Sequence, residues 1–314
     1  MNKLKVRMAA FCMLLVLCII MQGCIQDDLS ECGMGVHFRY IKNVEEVDKF
    51  ATAVEFVTLY VFDENDVFVT EQTETVEYLK DSPMILPLRA GKYKLIAWGN
   101  AGDSYEIAAC KPGETLLEDF VLKIKREADT VTEHPTHLFY GGVEEVDIVS
   151  GLGRKSVLID LMKDTNSIYV KATGLPIGQS GSEEAGTAGD NPFSCTITSI
   201  NGDYKFDNSI TGNRLTYIPK YTVEENVLKS DFVIMRELND GSTESRLIIL
   251  HKESGKELFN KNLVNDLLLP AATKNDLDID DEFHINIEFD QTNGSFSVSV
   301  NDFVVIEGGG SIIA

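Results

Sequence analysis

Basic residues are scarce in this chain, 28 against 50 acidic ones, and the formal net charge is -22. So acidic a surface repels phosphate, which excludes nucleic acid as a partner and disfavours attraction to anionic lipid. Histidine is also rare, with five copies. His134 and His137 have a spacing that suits a metal, yet Pro135 between them breaks the helix that would align the imidazoles, so a metal-free loop is expected. The acidic run Asp276 to Glu282 begins like a calcium loop. Asp281 stands where that loop needs glycine and Ile287 where it needs a bidentate glutamate, so an acidic turn before a strand is expected instead. No Gly-rich phosphate loop, nucleophile elbow or Cys-x-x-Cys pair occurs, and the expectation is a non-enzyme with no catalytic residue, no cofactor and no metal. After the first 23 residues no apolar run approaches the roughly 20 residues that cross a bilayer.

What is present begins with the leader. Lys3, Lys5 and Arg7 precede an apolar segment from Ala9 to Met21, too short to span and of the kind removed after export. Gly23 before Cys24 suits a peptidase pocket that rejects bulk, and the stretch resembles the lipobox of bacterial lipoproteins. Residues 1–23 therefore read as a lipoprotein signal peptide, cut between Gly23 and Cys24, with Cys24 as the lipidation site. Two or more acyl chains there would hold firmly, at ~0.8 kcal/mol per buried methylene, where one chain is marginal. The leader takes three basic residues with it and no acidic one, leaving 25 basic against 50 acidic in the mature body. Residues 24–35 are polar and acidic and read as a tether.

Of the six cysteines, Cys12 and Cys18 leave with the leader and Cys24 is acylated, so Cys32, Cys110 and Cys195 remain. An oxidising envelope compartment permits one pair among them. Cys32 with Cys110 is favoured, both lying in the first half, and the alternative is that all three are free.

From Val36 onward the pattern is that of strands. Val36, Phe38 and Tyr40 alternate with polar neighbours, and Val54 to Phe62 returns through Asp63 to Asp66 into Val67 to Val69 as a hairpin. Tyr93, Leu95 and Ala97 alternate with Lys94, Ile96 and Trp98, the single tryptophan reading as core. Asn201-Gly202-Asp203 and Asn239-Asp240-Gly241 are strong hairpin signals, and Gln291 to Gly294 turns one more alternating strand into the next. Leu263 to Leu269, closed by Pro270, reads as one brief helix. Residues 178–191 read as a long exposed loop, and Ser150 to Gly153 as the junction between two strand-rich blocks, 36–152 and 153–314. Each block is antiparallel β with short helical insertions, and each is compatible with a sandwich.

Several segments together resemble a known family. They are the lipobox, Asp27-Asp28-Leu29-Ser30-Glu31-Cys32, the run from Gly91-Lys92-Tyr93 to Trp98-Gly99-Asn100, Phe139-Tyr140-Gly141, and Val300-Asn301-Asp302-Phe303. In their order the chain resembles the FimB/Mfa-type fimbrial anchor lipoproteins of Bacteroidales, with Phe303 where tryptophan is expected. Gln26-Asp27-Asp28 likewise resembles the acidic signal that sends lipoproteins to the outer face of the outer membrane. The resemblance implies an all-β fold of two tandem transthyretin-like sandwiches. It also implies a surface-exposed outer-membrane lipoprotein that anchors or terminates a pilus, with fimbrial shaft pilin subunits as partners and donor-strand exchange as the mode of assembly. Shaft subunits of such pili lose their first strand after a basic residue, whereas an anchor keeps it, and Arg39 is the residue in question here. The alternative is a surface adhesin or glycan-binding lipoprotein, a fimbrial tip subunit included.

Overall fold

Apolar and polar residues alternate with a period of two through most of the chain, and strands form along those stretches. The computed structural model describes residues 33–149, 153–175, 192–224, 227–292 and 294–309; the leader and the expected loop at 178–191 lie outside them. In chain order the first strands are β1 (Met34–Arg39), β2 (Phe56–Asp63), β3 (Phe68–Thr75), β4 (Met84–Leu86), β5 (Gly91–Gly99), β6 (Tyr105–Ile107), β7 (Val121–Ile124), β8 (Thr130–Val131), β9 (Phe139–Ile148) and β10 (Lys155–Lys163). They continue as β11 (Thr165–Thr173), β12 (Phe193–Ser199), β13 (Asp203–Lys205), β14 (Ile210–Thr211), β15 (Leu215–Tyr217), β16 (Lys220–Glu224), β17 (Val227–Met235), β18 (Arg246–His251), β19 (Glu257–Asn262), β20 (Glu282–Asp290), β21 (Ser295–Val300) and β22 (Phe303–Gly309). The fold is all-β, and among the described residues no helix is long and apolar enough to cross a membrane.

Among the described residues four sheets form: seven strands in the order β3-β2-β5-β9-β10-β1-β4, six as β16-β17-β11-β20-β21-β22, five as β19-β18-β12-β15-β8, and four as β14-β13-β7-β6. At β2 and β5 the seven-stranded sheet is buried on both faces. Leu59, Leu95, Ile159 and Leu161 enter one core with Met34, Val36 and Phe38 of β1. Tyr60, Phe62, Ile96 and Trp98, one residue out of phase on β2 and β5, enter a second core that extends through the C-terminal half. Trp98 is fully buried there, its ring 4.9 Å from that of Tyr140. Burial of each such side chain contributes about 1.5–3 kcal/mol.

The sheets divide the chain differently from a junction at residue 152. β10 lies beyond that point yet completes the seven-stranded sheet, parallel to β1 from Met34↔Lys155 to Arg39↔Asp160 and antiparallel to β9. Its buried Ile159 and Leu161 belong to the core that β1 lines, and that shared core draws it in. Conversely β7 pairs with β13 and β8 with β15, so strands from before residue 152 complete sheets of the later half. The chain passes from the seven-stranded to the six-stranded sheet at Asp164. Among the described strands three pairings are parallel, β1 with β10, β11 with β20 and β8 with β15, and the others are antiparallel.

Two expected hairpins are absent. β12 pairs with β15 and β18 while β13 pairs with β14 and β7, so Asn201-Gly202 carries the chain from one sheet to another. Asn239-Asp240-Gly241 likewise connects β17, in the six-stranded sheet, to β18 in the five-stranded one. The first of these turns has buried partners that a solvated turn would lack: Asn201 donates to the Met235 carbonyl at 2.7 Å and accepts from the Tyr217 hydroxyl at 2.7 Å. The turns at Asp63 to Asp66 and at Gln291 to Gly294 do close hairpins, β2–β3 and β20–β21. The leucine-rich helix is a π-helix over Leu263–Leu268, and a short α-turn, Leu269–Ala271, continues it through Pro270.

Candidate anchoring and assembly surface

Strand β1 sits inside the seven-stranded sheet, between β10 and β4. The chain enters it at Gly33, whose carbonyl accepts from the Lys155 amide at 3.0 Å. Only glycine suits this position: φ is +115°, and a Cβ would lie 2.4 Å from the Leu86 carbonyl oxygen. Near the other end, Arg39 grips Asp160 of β10 with two bonds, 2.7 and 2.9 Å. Just beyond Arg39 the backbone is held by the loop that follows, the Tyr40 amide donating to Asp48 at 3.0 Å and the Tyr40 carbonyl accepting from the Lys49 amide at 2.9 Å, and Val36, Phe38 and Tyr40 are buried. An arginine-specific protease acting on the folded protein is therefore expected to leave the Arg39–Tyr40 bond intact, and to cut it only after denaturation. Mass analysis of timed digests would show a fragment beginning at Tyr40 if this is wrong.

Just beyond β1 the acidic turn finds its cations. Lys42 bonds Asp278 at 2.6 Å, the Tyr40 hydroxyl reaches Asp281 at 3.4 Å, and Lys163 pairs with Asp281 at 2.9 Å. Asp276 accepts the Asp278 amide at 3.0 Å, and Asp280 accepts the amide of Thr273. The turn is a clasp between the two halves. Burial pushes the Asp278 carboxyl up, but the hydrogen bond from Lys42 and the charge of Arg236 outweigh it and hold it below the usual range. Among the described residues no group of three or more His, Cys, Asp or Glu could hold a metal ion.

Beneath the clasp lies a buried polar cluster. Asp164, wholly out of solvent, accepts from Arg236 Nε at 3.0 Å and from Asn208 at 3.1 Å, and Arg236 also bonds Asp278. Burial pushes Asp164 up to about 6 against the opposing pull of Arg236. Next in sequence, buried Glu237 accepts from Ser245 at 2.8 Å, from Thr243 and from Asn201, and burial raises its pKa as well. Sequence reading did not find this cluster, because its members are spread from residue 164 to residue 278 and no local spacing joins them.

His137 faces the same junction, its Nδ1 3.0 Å from the Thr165 hydroxyl. Burial and then Lys163 lower it to about 4, against Asp281 and Glu282. A histidine depressed from 6.5 contributes stability above its unfolded pKa and loses it as pH falls toward 4. Asp164, raised from 3.8, behaves oppositely and gains stability as pH falls through 6. His137→Gln is therefore expected to become progressively more stable than the parent between pH 6.5 and 4, as read by thermal melting. A constant difference across that range would contradict the assignment.

Gly23, Cys24 and Cys32 lie outside the described residues. Cys110 is half-buried in the loop after β6, its Sγ 3.6 Å from the Ala108 carbonyl, and burial followed by Glu71 pushes its thiol up to about 11. Pairing of Cys110 with Cys32 thus stays an expectation. Cys195 is fully buried, with its thiol pushed up to about 12.

Sheet edges complete the surface. β3 offers eight residues but carries Glu71 and Glu74, charges of the kind that blunt edge pairing, and β4 is three residues long. β22 differs. It enters through Asn301 and Asp302, with φ of +47° and +65°, and pairs only with β21, through two register shifts. Phe303 and Val304 are more than half exposed. The bulges distort this edge, but its unpaired backbone flanked by exposed apolar side chains is what a strand-addition template consists of.

Comparison with known proteins places this architecture. The family described as fimbrillin-A associated anchor proteins Mfa1 and Mfa2 matches residues 29–307. The minor fimbrium anchoring subunit Mfa2 of Porphyromonas gingivalis is 25% identical over 262 residues, covering 80% of this chain and 76% of that protein. A crystal structure of a Bacteroides thetaiotaomicron protein, proposed to bind polysaccharide, superposes with a TM-score of 0.76 at 28% identity, covering 88% of this chain and 99% of the other. The structure of the Porphyromonas gingivalis fimbrial anchor Mfa2 has the same fold, with a TM-score of 0.70 at 22% identity, covering 87% of this chain and 99% of that one.

Proposed function

The chain belongs to the family of fimbrillin-A associated anchor proteins Mfa1 and Mfa2, and on that premise we propose that it is an outer-membrane lipoprotein, held through Cys24, that anchors or terminates a pilus. The observation that carries this reading is β1, closed between β10 and β4 with Arg39 tied to Asp160. A first sandwich that keeps its first strand has no groove for an incoming strand, so assembly stops there. The place offered to a shaft pilin is then in the second half, at the β22 edge, where a partner strand adds by main-chain bonds and sets alternate side chains beside Phe303 and Val304. The disulfide between Cys32 and Cys110 would further tie the tether to the first half.

The test has two parts. The protein recovered from intact pili is expected to carry residues 34–39; material beginning at Tyr40 would mean a shaft subunit. Deleting the gene is expected to give long pili shed into the medium. Pili that stay attached with altered adhesion would mean a tip subunit.

The relative proposed to bind polysaccharide raises a second reading, a glycan-binding adhesin. Sugar binding calls for clustered exposed aromatics. Among the described residues the largely exposed ones, Tyr78 and Phe303, lie apart, beside β3 and on β22. Glycan arrays set against pull-down of pilin separate the two readings.

A further inference from the structure

One continuous line of backbone joins the seven-stranded sheet to the six-stranded one. β10 and β11, nine residues each, are separated by Asp164 alone. Asp164 does not reverse the chain: its amide donates to the Leu138 carbonyl at 2.7 Å, extending the β9 ladder, and its carbonyl accepts from the Arg236 amide at 2.9 Å, extending the β17 ladder. The line is therefore extended, on the order of 60 Å at about 3.3 Å per residue. Gly33 and Lys155 sit together at one end. At the other, Gln291 bonds the Gly174 carbonyl at 2.6 Å, and Gly309 of β22 pairs with Phe296.

β1 lies along this line, parallel to β10, in register for six residue pairs. The loop that follows it is pinned to the second half by Lys42–Asp278 and by Glu46–Lys274 at 2.8 Å. A pull at residue 33 against the far end acts along the strand axes. All six pairs then carry tension together, and β1 cannot slide without dragging the pinned loop. A pull across the strands would open the same pairs one after another.

We propose that β1 is a shear clamp, in which tension between the residue-33 end and the opposite end of the molecule must slide the strand along β10 and break the Lys42–Asp278 clasp together. The purpose of such a clamp rests on the anchor reading, but the mechanical property does not. Neither ion pair is strong by itself, being partly exposed. Their contribution comes from position, at the end of the strand that tension would move.

The experiment is single-molecule stretching of the complete mature chain, held by its N-terminus and by a peptide tag. In one version the tag is inserted at Thr292, exposed in the β20–β21 turn at the far end; in the other it is inserted at Gly153, exposed beside the start of β10. The first geometry shears β1 from β10 and the second peels it. Rupture is expected at severalfold higher force in the first, with Asp278→Asn lowering that force and leaving the peeling force unchanged. Glu77→Gln, which removes an ion pair to Lys80 off the line, should change neither. Equal forces in the two geometries, or unravelling of the second half before β1 moves, would overturn the clamp. A cut after Arg39 in intact pili would overturn the anchor reading instead, and would leave these forces as measured.

Discussion

Cells carrying Cys24→Ala are expected to lose this protein, with whatever pilus it holds, from the membrane fraction to the medium. Twice as many acidic as basic residues in the mature body give it no electrostatic attraction to an anionic surface. After the leader no apolar run is long enough to span, so on the proposed reading the attachment falls to acyl chains on Cys24. An uncut leader would itself retain the protein, so the same substitution is also made behind an ordinary secretory leader. Immunoblots of washed membranes and of culture medium read the result, and persistence in washed membranes with that second leader would refute the lipid attachment.

Arg236→Leu has the largest expected effect on the fold. Among the described residues the guanidinium is the sole cation against fully buried Asp164, and one carboxylate oxygen of Asp164 already lacks a hydrogen-bond partner. Removing one partner of such a pair costs about 3–5 kcal/mol, chiefly because the other charge is left buried. The sign of the pH dependence follows. Asp164, raised to about 6 with Arg236 in place, is raised further without it, so the variant gains stability as pH falls from 7 toward 5 by protonating the orphaned carboxyl. Urea titrations at both pH values test this. An equal loss at the two would mean that lost packing and not charge accounts for the effect. Replacing Asp164 by leucine as well should recover much of the loss, since the desolvation penalty then disappears from both partners.

Much of the fold can be read from alternation. Val36, Phe38 and Tyr40 share a buried face, and Leu95 with Ala97 and Ile96 with Trp98 divide between two cores, as a period of two requires. What alternation cannot specify is the partner of each strand. Val157 to Leu161 falls in the expected second block, 153–314, yet β10 pairs with β1, 121 residues away between Arg39 and Asp160. The turn signals at Asn201 and Asn239 fail for a related reason: an asparagine or aspartate followed by glycine marks a change of direction, and burial decides whether it stays within one sheet. Asp276 to Glu282 reads as an acidic turn, and so it is, but its cations, Lys42, Lys163 and Arg236, come from three distant segments.

The wide spacing of β1 and β10 also governs the order in which the chain can fold. Until residues 155–163 have crossed into the envelope, β1 has only the three residues of β4 to pair with. Met34, Val36 and Phe38 must wait, apolar and paired on one side at most, for a contact of high sequence separation whose formation is intrinsically slow. The first strand to emerge is thus among the last to be secured, and in that interval its open edge is available to any periplasmic chaperone or stray strand that reaches it.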